Sequence, residues 1–144
     1  MDARRRAALL GLVVGFSHTV LRLFVLDSTS TALGASLTEL LLQTLVATLL
    51  GLGVLLGLPL YGALRMGVPG TTSRGTALAV VVGVGTGVAV FATYPLLSAQ
   101  AAGASFGEAL QVRFAGAYLV NAVSPAAYSG VSALAGFLLA EQNT

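Results

Sequence analysis

The chain has 144 residues, 56% of them hydrophobic and 8% charged, where an ordinary soluble domain carries about a quarter charged residues. That balance excludes a water-soluble globule and points to an integral membrane protein, a single transmembrane domain over 1–144, because no stretch between the apolar runs is long enough to fold outside a bilayer. A net charge of +2 gives no reason to expect nucleic acid as a partner, and with no cysteine there is no disulfide, thiolate metal site or cysteine nucleophile.

Arg4, Arg5 and Arg6 precede the first apolar run, and the positive-inside rule puts them in the cytoplasm. Ala7 to Leu26 then gives twenty nearly unbroken apolar residues, enough for a helix to cross a hydrocarbon core of about 30 Å. A secretory leader is the competing reading, but the run is too long for one and is interrupted by His18 and Arg22. At helical spacing Ala7, Gly11, Gly15, His18 and Arg22 share a face, so a groove of small residues leads to two polar ones.

Asp27 to Ala35 is a short Ser/Thr-rich external turn. Ser36 and Glu39 have capping-box spacing, so a helix starts near Leu37 and follows the apolar run to Leu64. Its 28 residues would reach about 42 Å, so it tilts, or Pro59 bends or ends it. Ser36, Glu39, Gln43, Ala47 and Gly51 line one of its faces. Arg65 to Gly75 is a cytoplasmic turn rich in glycine. The third span, 76–97, repeats small residues at Ala79, Gly83 and Gly87. Gly83-Val84-Gly85-Thr86-Gly87 superficially suggests a dinucleotide-binding turn, but the third glycine comes one residue early and no soluble βαβ unit surrounds it. Close helix packing explains these glycines better.

Ser98 to Ala104 forms a second external loop, and Ser105 with Glu108 makes a second capping box. A fourth helix is expected over about 106–140, with a kink or break near Pro125, whose ring removes a donor from the helix. Arg113, Ala117, Asn121 and Ser124 share a face of it. Arg4, Arg5, Arg6, Arg65 and Arg74 fall on the inner side against Arg22 and Arg113 on the outer, so both termini are expected in the cytoplasm.

The fold class expected is all-α: a four-helix transmembrane bundle packed through Gly11, Gly15, Gly51, Gly83 and Gly87. Gly34-Ala35-Ser36 with Glu39 recurs sixty-nine residues later as Gly103-Ala104-Ser105 with Glu108. Two accounts of this stand side by side. One is a tandem pair of helical hairpins related by a pseudo-two-fold axis along the membrane normal; the other is coincidence in a chain so rich in Gly, Ala, Leu and Val.

Polar groups at membrane depth face protein or reach for the surface. If the three polar stripes converge, His18, Arg22, Glu39, Gln43, Arg113 and Asn121 form an outer cluster, with Arg22 paired to Glu39 and His18 able to carry a proton. A lone histidine, no Ser-His-Asp spacing and no facing carboxylate pair give no support for an enzyme, a metal or a cofactor. The leading functional reading is a non-enzymatic structural or assembly component, either a homo-oligomer or a subunit bound to a membrane partner. The alternative is a small transporter or channel subunit that uses the polar cluster.

Overall fold

A computed structural model describes residues 2–23, 36–67, 71–101, 103, 105, 107 and 115–142. Among them there are helices and no strands: α1 (Ala3–Leu21), α2 (Leu37–Leu52), α3 (Leu58–Met66), α4 (Thr72–Ala101) and α5 (Ala115–Gln142). A π-helical segment, Gly53–Gly57, joins α2 to α3. Three helical stretches are long and apolar enough to cross a membrane: Leu37–Met66, Thr72–Gln100 and Ala115–Gln142. The described part of α1 begins at Ala3 and so includes all three N-terminal arginines; it is not among the three, and residues 24–26 of the expected span at 7–26 lie outside the described residues.

Several boundaries move for local reasons. Arg65 and Met66 belong to α3, which stops at Gly67 (φ 69°), a left-handed conformation that favours glycine. Thr72 to Gly75 already belong to α4, whose first turn is closed by Arg74 and Gly75 donating to the Thr71 carbonyl at 3.0 and 3.2 Å. At its other end α4 runs through Pro95 as far as Ala101, four residues past the expected end. The helix over 37–64 is interrupted before Pro59: with no N–H from the proline the ladder loosens into the π segment, and the Ser132 hydroxyl on α5 donates to the Leu56 carbonyl within that segment. α5 passes through Pro125 without ending. The expected external turn at 27–35 and the capping residue Glu108 lie outside the described residues.

α4 is the central helix. Gly11 of α1 meets Val82, Gly85 and Thr86, and Gly15 meets Thr86 and Ala89, so α1 and α4 run parallel. Gly83 and Gly87 meet Ala126 and Ala122 of α5, and Gly130 meets Ala79, so α4 and α5 are antiparallel. Gly136 of α5 sits against Leu60 and Ala63, placing α3 beside α5. Where water supplies no drive for helices to associate, close van der Waals approach of backbones takes its place, and small residues permit it.

A buried core cluster lies at the arginine end. Ala7, Ala63, Leu78, Val82, Ala133 and Phe137 form one buried cluster there, drawn from α1, α3, α4 and α5. Toward the other end α2 stands apart: Ala47 is its one buried residue, while Leu41 is 64% and Leu45 56% exposed. Gly51, expected at a packed face, has no neighbouring atom within 4 Å of where a Cβ would stand. Gly15 of α1 faces α4, and Gly83 of α4 faces α5.

Candidate functional site

The part of the α1/α4/α5 junction away from the N-terminal arginines is assembled by the polar stripe of α1. The buried residues of that helix are Ala7, Gly11, Val14, Gly15 and Thr19, so the small-residue groove continues into a hydroxyl rather than directly into His18. Thr19 Oγ1 donates to the Gly15 carbonyl at 2.9 Å and lies 3.2 Å from Thr93 Oγ1 on α4. Thr93 in turn reaches the Ala89 carbonyl at 2.6 Å. Each hydroxyl is satisfied by its own helix, which leaves little polarity on the interface.

One turn beyond Thr19 the chemistry becomes ionic. Arg22 Nη1 donates to Asn121 Oδ1 at 3.3 Å, tying α1 to α5 across 99 positions of sequence. Its guanidinium carbon stands 5.5 Å from the centre of the Tyr94 ring on α4, within the range of a cation–π contact. Tyr94 packs on Tyr118 of α5, with ring centres 6.0 Å apart at 57°, a tilted geometry that suits the ring quadrupoles. Pro125 follows Asn121 by four residues and cannot donate to the Asn121 carbonyl. One cation on α1 is thus held by an amide and an aromatic pair from two other helices.

His18 lies one turn before Arg22 on the same helix. Its Nδ1 is buried with no hydrogen-bond partner among the described residues. A buried imidazole nitrogen without a partner costs free energy, which makes this atom the least satisfied polar group of the junction.

Comparisons with family models, curated proteins and solved structures find no match.

Of the six polar residues expected to converge, the structure brings together His18, Arg22 and Asn121. Glu39 and Gln43 lie exposed on α2, away from this junction. The Arg22–Glu39 pair does not form. Glu39 is retained by its own helix end, where Oε2 accepts from Ser36 N at 2.9 Å and Glu39 N donates to Ser36 Oγ at 3.3 Å, a complete capping box. Arg113 lies outside the described residues. Sequence reading missed Tyr94, Tyr118, Thr19 and Thr93. Tyr118 was within reach, since it precedes Asn121 by three residues and so shares its face; Tyr94 carried no such signal, because an aromatic in an apolar helix reads as core.

Proposed function

We propose that this chain is a non-enzymatic integral membrane protein, a structural or assembly component whose helices cross the bilayer as a four-helix arrangement with both termini in the cytoplasm. The observation that carries the reading is the contrast between a bundle locked by backbone-close glycine contacts and an apolar α2 that has almost nothing to pack on. In water such a helix would be an aggregation hazard; in a bilayer it is a surface for lipid and for a partner helix. The Thr44 and Thr48 hydroxyls on α2 donate to carbonyls four residues back, at 2.8 and 2.7 Å, which suits a helix with no water around it. Arg65 donates to the Tyr61 hydroxyl at 3.0 Å near the end of α3, an arrangement suited to the inner membrane interface.

The partner favoured is a second copy joined through α2. With no native cysteine, Leu45→Cys is a clean reporter: oxidation in membranes is expected to give a disulfide-linked dimer, since Leu45 is 56% exposed. A monomer in detergent together with no cross-link at Leu41, Leu45 or Leu49 would overturn self-association.

A second reading, a small transporter or channel subunit, is favoured by one observation, the unpartnered His18 Nδ1 beside Arg22. An imidazole there could relay a proton. Under this reading His18→Ala abolishes the pH dependence of flux in proteoliposomes. An unchanged profile in the variant removes the transport reading.

A further inference from the structure

Two hollows on the α1/α4 seam differ in chemistry and share one wall residue, Val81. The first, about 460 Å³, lies between the first turns of the two parallel helices and is lined by Asp2 and Arg4 from one side and Arg74, Leu78 and Val81 from the other. Two arginines and a single aspartate are among its lining residues. Asp2, the N-cap residue of α1, makes no side-chain capping bond to that helix. Val81 also lines the second hollow, about 290 Å³, whose walls include Leu12, Val84 and Val88. From Val81 to Val88 the seam rises about 10 Å, and along it the lining passes from charged to apolar.

A free phosphate would be satisfied by the arginines and would gain nothing from the valines. A neutral lipid would use the valines and leave the arginines without a counter-charge. A molecule with an anionic head and a hydrocarbon tail meets both requirements. We propose that an anionic phospholipid binds along the α1/α4 seam, its phosphate between Arg4 and Arg74 and one acyl chain against Leu12, Val84 and Val88. This rests on the membrane reading above. Arginine suits the head group because its planar fork can bind two phosphate oxygens at once, and basic residues near a membrane surface each strengthen attraction to anionic lipid.

The test uses full-length protein purified in detergent with equal amounts of phosphatidylglycerol and phosphatidylcholine, the retained lipid being counted by native mass spectrometry. Phosphatidylglycerol is expected to be retained preferentially. Arg4→Gln with Arg74→Gln should weaken that retention roughly 30-fold. Arg5→Gln with Arg6→Gln removes the same charge from residues that do not line the hollow and should change retention less than about threefold. All four arginines are exposed, and unchanged helicity and elution volume check that neither pair disturbs the fold. Val84→Phe, which fills the apolar hollow, should weaken long-chain lipid while sparing a short-chain form. Equal retention of the two lipids, equal losses in the two arginine pairs, no chain-length dependence in Val84→Phe, or displacement by millimolar inorganic phosphate would each overturn the proposal. Alkaline washing of phosphatidylcholine vesicles separates the two levels. A chain that washes out overturns the membrane reading, whereas one that stays and shows no preference for phosphatidylglycerol overturns the lipid site alone.

Discussion

Gly11→Leu is expected to prevent stable packing of α1 on α4, and even Gly11→Ala should be costly. A Cβ at Gly11 would overlap the Val82 carbonyl oxygen and stand 3.0 Å from the Thr86 nitrogen, both backbone atoms that cannot rotate away. Overfilling a packed interface costs about 1–3 kcal/mol where side chains can adjust, and here the helix axes themselves must separate. A Cβ at Gly15 or Gly83 would meet backbone at 2.5 or 2.8 Å, so these two positions should rank close behind. Gly62 is the informative intermediate, because its obstacle is the flexible end of Leu10, so Gly62→Ala should cost less. Gly51 reverses the sign: with open space around it, Gly51→Ala removes a weak helix former and should gain up to about 1 kcal/mol. Unfolding in a graded series of denaturing detergent orders the five variants. Indistinguishable midpoints for Gly11→Ala and Gly51→Ala would dismiss the close approach of α1 and α4.

That series also shows how far spacing alone reaches. Small residues four apart at Gly11/Gly15 and Gly83/Gly87 mark stripes where two helices could approach, and both stripes meet a neighbour. The same rule applied to Ala47 and Gly51 finds a stripe but no neighbour for Gly51, because the packing of α2 is decided by the segment just beyond its end. The π segment and Pro59 open the ladder there, and it is from the π segment onward, through α3, that the chain settles against α5. The flanking Gly53 and Gly57 were visible beside the proline, but a shift from i+4 to i+5 pairing leaves no periodic trace in an all-apolar run.

The three polar stripes fared differently, for a reason that is again local. Their convergence would set Asn121 beside His18 and Arg22, and the Arg22–Asn121 bond forms. It also offered Glu39 to Arg22, but a carboxylate three residues after an N-cap serine has a nearer claim on it. Two hydrogen bonds within one turn need no long-range ordering, while an ion pair with α1 would need α2 to close onto the bundle. The choice of Asn121 over Glu39 therefore stems from the same opening of α2 that leaves Gly51 bare.

Asn121→Leu is expected to destabilise the α1/α5 junction by about 1–2 kcal/mol, more than the roughly 0.6 kcal/mol of an average interhelical hydrogen bond in a membrane, because the donor it abandons is charged. Leucine keeps the volume, so the loss measures the acceptor. Arg22 would then rest on the Tyr94 ring alone. Replacing both partners, Arg22→Leu with Asn121→Leu, removes the stranded charge together with its acceptor and should recover part of that cost, since a polar pair exchanged for apolar residues of similar size is often close to neutral. The double-mutant cycle decides whether the contact is energetic. A coupling below about 0.5 kcal/mol, the level of independent sites, would mean that Arg22 and Asn121 are neighbours without being partners. The same double variant also separates the two functional readings. A register-fixing pair can be exchanged for two leucines with assembly intact, whereas a conduction path through this junction would lose its only described cation on α1 beyond the N-terminal arginines, and flux should cease while the dimer, cross-linked through Leu45→Cys, still forms.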